Sequence, residues 1–323
     1  MGNLIDIAVP LFGLIAIGIA FGKIFKSASL AGLEWLNIFI IYAALPALFI
    51  KLVALAPIED LTRFDYVAVT TYATLLTFVI GFLVFRFMSK ASAPRSIIAG
   101  LSSAYGNIGY LGPGVILAAL GPKGLIPVAL IMVFENTLHF FIAPFGMALT
   151  GRLQGSWWQI AGGIIWKVVS FPFIVACFVG VAISASGLAI PSPIERLLDL
   201  LAGAAAPCAL FAMGVSLALR PFTAFSAPTA ALIFIKLLFY PFLVWLLLSV
   251  IGDFEPIWIQ AAVLMACLPT ATNVFIIAQQ YNTWEDGASG VMLVSTIASF
   301  LTVPAILYLF GGGVLPLDLF PPS

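Results

Sequence analysis

The sequence Asn-Ile-Gly-Tyr-Leu-Gly-Pro-Gly, at residues 107–114, interrupts an otherwise apolar segment of this chain. A second interruption, Pro-Thr-Ala-Thr-Asn, occupies residues 269–273 of another apolar segment. Both put helix breakers and polar side chains about midway along segments long enough to cross a bilayer. Irregular backbone is tolerated at that depth only where protein buries it or where it lines a cavity. The matched pair of breaks therefore predicts a solute site in a membrane carrier.

The composition of the chain is that of a membrane protein. Charged residues make up 8% of the 323 residues, hydrophobic residues make up 63%, and the mean hydropathy is +1.19. This composition predicts that the chain lies in a lipid bilayer. Because the net charge is zero and no run of Lys and Arg occurs, nucleic acid is not a predicted partner. Cys177, Cys208 and Cys267 lie in apolar segments and are odd in number, which favours small core residues over a disulfide framework.

Ten apolar segments of about 20 residues are predicted to span the bilayer. They are residues 4–24, 33–55, 66–87, 96–120, 125–149, 168–185, 197–219, 227–251, 256–280 and 288–310. The first is expected to be a retained span and not a signal peptide, because no basic region precedes it. The connection at 150–167 contains Trp157, Trp158 and Trp166, which is typical of a helix at the membrane interface.

An internal repeat relates the two halves of the chain. Ala-Leu-Pro-Ala-Leu-Phe at 44–49 resembles Ala-Pro-Cys-Ala-Leu-Phe at 206–211, and the prolines of the two segments, Pro46 and Pro207, are 161 positions apart and are candidate hinges. The same offset carries 107–114 onto the second break. Residues 1–149 and 168–323 are thus predicted to be five-helix repeats, joined by 150–167. Because five is odd, the repeats are inverted. The predicted fold is an all-α integral membrane protein of ten transmembrane helices, with broken fourth and ninth helices crossing near mid-membrane.

The distribution of lysines and arginines predicts that both termini lie outside. Eight of these residues lie on the predicted inner side of the membrane, and three lie on the predicted outer side. The eight are Lys23, Lys26, Arg86, Lys90, Arg95, Arg152, Lys167 and Arg220, and the three are Arg63, Lys123 and Arg196. Lys51, near the outer end of its span, is expected to extend its side chain to the interface.

Inversion gives the two breaks a chemical meaning. The second half of each broken helix would begin near mid-membrane, one close to Pro113 and the other close to Asn273. Each would present free N–H groups and roughly half an elementary positive charge, an arrangement that suits a carboxylate. The predicted substrate-binding residues are Asn107, Gly109, Tyr110, Gly112, Pro113, Pro269, Thr270, Thr272 and Asn273. The alternative is that their polar groups only cap the half-helices.

Three ionisable residues inside predicted spans are candidates for coupling transport to an ion. Glu135 lies near the middle of the fifth span, and His139 follows one helical turn later on the same face, which predicts a proton acceptor. The alternative is a hydrogen-bonded cluster that holds helices together. Lys236, in the eighth span, could occupy the place of a coupling cation, or pair with Glu135 or with backbone carbonyls. No catalytic or metal-binding motif and no cofactor site is recognised, so an enzyme is not predicted.

The motif at 107–112 resembles the Asn-x-Gly-aromatic-x-Gly signature of the auxin efflux carrier family. Residues 268–281 are similar to the ninth-helix pattern of that family, and Pro46 with the following Ala-Leu-Phe fits its second helix. The resemblance implies a fold shared with bile-acid and sodium/proton carriers, in which a scaffold of spans 1, 2, 6 and 7 faces a transport unit. It also implies organic-anion substrates such as malate, malonate or auxin-like acids.

Two features depart from the pattern of that family. Gly112-Pro113-Gly114 stands where Gly-x-Pro is usual, and the long hydrophilic loop of many plant members is missing, which favours a compact prokaryotic carrier. The sequence predicts a secondary carrier of small organic anions. Uptake and counterflow measurements would test this function. A sodium- or proton-coupled symporter of another solute class, such as bile-acid-like molecules, and an anion channel or receptor stay open as alternatives, as does a homodimer.

Overall fold

The computed structural model describes residues 2–151, 157–219, 226–311 and 313–320, and in these residues the regular secondary structure is entirely helical. The helices are α1 (Gly2–Ile24), α2 (Lys26–Phe39), α3 (Leu45–Ala54), α4 (Ile58–Leu61), α5 (Phe64–Ser89), α6 (Ala93–Ala104), α7 (Gly112–Leu120), α8 (Leu125–Leu149), α9 (Trp157–Val169), α10 (Pro172–Ser186), α11 (Ser192–Leu219), α12 (Ala227–Phe234), α13 (Tyr240–Ile251), α14 (Pro256–Ala266), α15 (Thr272–Gln280) and α16 (Glu285–Gly311).

Six helical segments in the described part of the chain are long and apolar enough to cross a membrane. They are Gly32–Ala54, Ile58–Ser89, Pro122–Leu149, Ser192–Leu219, Ala227–Ile251 and Glu285–Phe310. Each coincides with one of the ten predicted spans. Of the other four predicted spans, the one at 4–24 lies within the 23-residue helix α1, and those at 96–120, 168–185 and 256–280 contain shorter helices.

Helices end at both sequence breaks. α6 ends at Ala104 and α7 begins at Gly112, while α14 ends at Ala266 and α15 begins at Thr272. Proline explains much of this pattern. Pro113 lies in the first turn of α7, where its missing N–H costs nothing, and Pro269 cannot continue α14 because it lacks a donor and disfavours helical backbone in the preceding residue.

Two π-helical turns precede prolines. Ile40–Ala44 joins α2 to α3 just before Pro46, and Ile235–Phe239 joins α12 to α13 just before Pro241. The proline ring displaces the carbonyl one turn earlier, and a wider turn accommodates the displaced group. Pro207 instead lies inside the uninterrupted helix α11. A hinge function for Pro46 and Pro207 stays a prediction.

The chain divides into two compact units. The first comprises Met1–Arg63, Gly109–Val133 and Val169–Pro221. It gathers predicted spans 1, 2, 6 and 7, the set that the family resemblance implies for the scaffold, together with 109–133.

Close packing of glycines holds α1 against α11 in this unit. A Cβ on Gly18 would lie 2.2 Å from the carbonyl oxygen of Phe211, and one on Gly214 would lie 2.1 Å from that of Ile15. Backbone therefore meets backbone at this contact, which small residues permit in a membrane.

Lys51 forms an ion pair with Asp199 in the first unit, and the extension of its side chain to the membrane interface stays a prediction. Both side chains are partly exposed. This ion pair joins α3, which contains Lys51, to α11, which contains Asp199. The three cysteines are free thiols, with Cys177 and Cys267 buried and Cys208 half-buried.

The second unit comprises Phe64–Ile108, Phe134–Val168 and Phe222–Ser323. One buried apolar cluster in it packs α6 against α15 through residues such as Leu101, Tyr105 and Val274. Another packs α5 against α12 and α16 through Phe85 and Leu232. This unit contains the ends of α6 and α14 and the start of α15, and so it positions the candidate site.

Candidate functional site

Two irregular segments of the second unit pair with each other, and we call them the paired segments: residues 105–107 and 269–271. Gly106 and Thr270 form an antiparallel bridge. The N–H of Asn107 donates to the Pro269 carbonyl at 2.7 Å, and the N–H of Ala271 donates to the Tyr105 carbonyl at 2.9 Å. These bonds satisfy backbone groups that the ends of α6 and α14 leave without helical partners. The two sequence breaks thus meet through their backbones.

Thr270 ties the paired segments to two further helices. Its hydroxyl, which is fully buried, donates to the Ser102 carbonyl of α6 at 2.6 Å. Its N–H donates to the hydroxyl of Ser295 in α16 at 3.1 Å. In this conformation Thr270 braces the paired segments, and a direct role in substrate binding stays a prediction.

The start of α15 adjoins the paired segments and carries no side-chain cap. Its N-cap residue is Ala271, which has no oxygen to offer to the free N–H groups of the first turn. Thr272 and Asn273 open the helix and are partly buried. The positive end of α15 is therefore available to an anionic ligand.

Lys236 lies beside the paired segments and is completely buried. Its ammonium group donates to the carbonyl of Ala266, the last residue of α14, at 2.5 Å. The same Nζ is 3.2 Å from where a Cβ on Gly106 would stand, and 4.7 Å from the centre of the Tyr240 ring. Of the alternatives predicted for Lys236, pairing with a backbone carbonyl is the one realised, and the cation occupies the negative end of α14.

Glu135 binds a different partner. The Tyr240 hydroxyl donates to its Oε1 at 3.3 Å, and the same hydroxyl is 2.6 Å from Thr74 Oγ1 of α5. Glu135 is 3% exposed. Among the described residues it forms no ion pair with Lys236 within 4 Å, and Tyr240 contacts both residues.

His139 and Asn273 are connected through Tyr105. The His139 ring stacks on the Tyr105 ring with 4.0 Å between centroids and 5° between planes. The Tyr105 hydroxyl donates to Asn136 Oδ1 at 2.7 Å and accepts from Asn273 Nδ2 at 2.9 Å. His139 is completely buried, and neither ring nitrogen meets the geometry of a hydrogen bond in the described part of the chain, although the Glu135 backbone lies next to it one turn earlier.

The predicted site residues fall in both units. The second unit holds Asn107, which is 3% exposed, and also Pro269, Thr270, Thr272, Asn273, Glu135, His139 and Lys236. The first unit holds Gly109, Tyr110, Gly112 and Pro113, at and before the start of α7, which likewise lacks a side-chain cap. A Cβ on Gly109 would meet no described atom within 4 Å. Substrate contact by any of these residues stays a prediction.

Sequence reasoning missed three residues of this site: Gly106, Tyr105 and Tyr240. Two signals were present. Gly106 and Tyr105 directly precede the first motif, and Tyr240 stands one turn after Lys236, before a proline. Their partners lie far away in sequence, so the hydrogen bonds could not be read from the chain.

Comparison with known proteins identifies the class. The sequence model of the family described as membrane transport protein matches residues 4–307. A Rhizobium meliloti (strain 1021) protein named "Putative malonate transporter" is 45% identical over 321 residues, which are 99% of this chain and 100% of that protein. The "Uncharacterized transporter YfdV" of Escherichia coli (strain K12) is 27% identical over 69% of this chain and 71% of its own length. An "Uncharacterized transporter" of Methanothermobacter thermautotrophicus is 26% identical over 88% of this chain and 92% of its own length.

With its apolar helices, the protein is thus an integral membrane transporter and not an enzyme. The chain belongs to the membrane transport protein family, which is the auxin efflux carrier family. The family predicted from the two sequence motifs is confirmed.

Proposed function

We propose that this protein is a secondary carrier of small carboxylates, of the size of malonate, and that it works by alternating access. The observation that carries the proposal is the backbone pairing of residues 105–107 with 269–271, next to the uncapped start of α15. The name of the 45% identical relative, a malonate transporter, supports this substrate class.

The proposed anion site lies at the first turn of α15. The free N–H groups of this turn and the carboxamide of Asn273 supply hydrogen-bond donors, and Asn107 lies on the opposite paired segment. A carboxylate prefers such donors because hydrogen bonds to a charged group are worth about 1.5–3 kcal/mol each. The Ala271 cap offers no competing oxygen, so a ligand completes the helix end that the chain leaves open.

Lys236 supplies a compensating positive charge in the proposed site. Its ammonium is buried against Gly106, within one of the paired segments, and it has no carboxylate partner within 4 Å among the described residues. A charge held in a low-dielectric environment acts on an anion more strongly than one exposed to water. This fixed cation favours an anionic solute over a neutral one.

The proposed architecture has ten spans in two inverted repeats, with the fourth span made of α6 and α7 and the ninth made of α14 and α15. The helix ends at Ala104 and Ala266 support it, as does the spacing of 161 residues between the two breaks. We place both termini outside on the distribution of Lys and Arg, and we place the protein in a prokaryotic plasma membrane because the long hydrophilic loop of many plant members of the family is missing. Arg152 and Arg220, which enter that count, lie outside the described residues.

Coupling is proposed to involve Glu135, His139 and Lys236 rather than sodium. Glu135 and His139 are buried in one unit and are linked to the site through Tyr240 and Tyr105 respectively. If Lys236 is the fixed charge, transport is uniport, and dissipating a proton gradient at constant membrane potential changes nothing. If Glu135 carries a proton, the same treatment stops accumulation. A strict sodium requirement contradicts both.

The experiment is uptake of radiolabelled malonate into proteoliposomes, with unlabelled malonate, malate, acetate, a bile acid and neutral malonamide as competitors. The expected result is saturable uptake, inhibition by the dicarboxylates, no inhibition by malonamide, and accelerated exchange when unlabelled malonate is preloaded. Exchange without acceleration, with flux linear in concentration, identifies a channel. Competition by bile-acid-like molecules alone identifies another solute class.

Two variants test the location of the site, and one serves as a control. Asn107→Ala and Asn273→Ala should each weaken apparent affinity by roughly 10- to 150-fold, which corresponds to the loss of one hydrogen bond to a charged group. Gln279→Ala changes an exposed polar residue on the same helix as Asn273 and should leave affinity unchanged. Unchanged affinity in both asparagine variants contradicts the proposed site.

A further inference from the structure

Tyr105 holds the start of α15 at two points. Its carbonyl accepts the N–H of Ala271 at 2.9 Å, and its hydroxyl accepts Asn273 Nδ2 at 2.9 Å. The side chain is 1% exposed, so both bonds are shielded from water. A hydrogen bond in such surroundings fixes geometry more firmly than one at the surface.

The direction of the hydrogen bonds defines the orientation of the Asn273 carboxamide. The single hydroxyl hydrogen of Tyr105 is donated to Asn136 Oδ1 at 2.7 Å. The hydroxyl can therefore only accept from Asn273, and it selects the amide nitrogen and not the carbonyl oxygen. Asn273 is kept in one of its two amide orientations, with the second hydrogen of Nδ2 left for another acceptor.

The position of the Tyr105 ring is itself fixed. It stacks on His139 with the two planes 5° apart, and it belongs to the buried cluster that packs α6 against α15. Packing thus fixes the position of the hydroxyl, which is the property required of a group that orients another.

We propose that Tyr105 is a positioning residue for substrate binding: its hydroxyl, oriented by Asn136, holds the Asn273 amide nitrogen toward the carboxylate at the start of α15. The inference rests on the proposed anion site. Tyr105 acts through Asn273 and does not itself contact the substrate.

The test is Tyr105→Phe, which keeps the ring and its stacking on His139 and removes only the hydroxyl. In malonate uptake by proteoliposomes, KM should rise by roughly 2- to 12-fold, the range for the loss of one neutral hydrogen bond, while the maximal rate is retained. Tyr66→Phe is the matched control, because Tyr66 is an equally buried tyrosine of the same unit whose hydroxyl donates to the Trp258 carbonyl at 3.1 Å. Its KM should equal that of the wild type.

The double variant separates a positioning role from a structural one. In the Asn273→Ala background, Tyr105→Phe should cause no further rise in KM, because the group that it positions is gone. Independent effects that multiply, or a loss of maximal rate and yield with unchanged KM, overturn the inference. If wild-type protein transports no carboxylate, the proposed function fails instead, and the two failures are therefore distinguishable.

Discussion

Gly106 lies close to Lys236 in the paired segments, and replacing it by Ala or Val tests that contact. An ideal Cβ there would lie 3.2 Å from Lys236 Nζ and 3.4 Å from both Ile108 Cγ2 and the Met265 carbonyl oxygen. The contacts at 3.4 Å are at the edge of the ordinary range, whereas Lys236 Nζ must move by a few tenths of an ångström. Lys236 is held by its hydrogen bond to Ala266, and Met265 belongs to the last turn of α14.

The expected loss of stability follows from the number of carbon atoms that each substitution adds. We expect Gly106→Ala to destabilise the protein by about 1 kcal/mol, and Gly106→Val by about 3 kcal/mol, which are the two ends of the usual range for overpacking. Gly109 is the internal control, because a Cβ there meets no described atom within 4 Å and neither glycine has a positive φ. Gly109→Ala should change stability by less than about 0.5 kcal/mol.

Thermal unfolding of the purified protein in detergent measures the difference. At roughly 2 °C per kcal/mol, the Tm of Gly106→Val should lie about 6 °C below that of the wild type, with Gly106→Ala in between. Equal melting of the Gly106 and Gly109 variants would show that Lys236 and α14 do not pack against this glycine, and the reasoning about the paired segments would fail.

Three further perturbations test other parts of the account. Glu135→Gln keeps the side-chain shape but removes the titrating group, so gradient-driven accumulation of malonate should stop while exchange persists; lower yield with unchanged pH dependence would instead indicate bracing. His139→Leu removes two buried nitrogens without partners in the described structure, a relief of about 1–3 kcal/mol against about 0.5–1.5 kcal/mol of lost ring stacking, so Tm should rise while transport falls. A lower Tm would mean that the imidazole is satisfied. Gly214→Val should prevent the approach of α11 to α1 and reduce the folded yield, whereas Gly203→Ala, in open space on the same helix, should not.

Much of the fold class could be predicted from the sequence, because its signals are local. Apolar segments of about 20 residues identify spans by length alone. Pro113 predicted where a helix begins, and Pro269 predicted where one ends, since proline acts on its own backbone and on the residue before it. The buried position of Lys236 followed in the same way, from its distance along an apolar segment.

The connections within the site could not be predicted, because they join residues distant in the chain. Nothing in the sequence indicates that Lys236 donates to Ala266 and not to Glu135, since either pairing satisfies a buried ammonium. The bridging role of Tyr105 depends on helix packing that sets a hydroxyl between two amides. Tertiary geometry determines these pairings. Neither secondary-structure propensity nor hydrophobic periodicity gives information about it.

The location of the anion is tested most directly by a high-resolution structure of the protein in a membrane mimic with bound bromomalonate, whose heavy atom marks the ligand. The account predicts a carboxylate about 3 Å from the N–H groups of Thr272 and Asn273, at the start of α15 and beside residues 105–107. Ligand density elsewhere, or α14 and α15 joined as one continuous helix in the bound state, would contradict it.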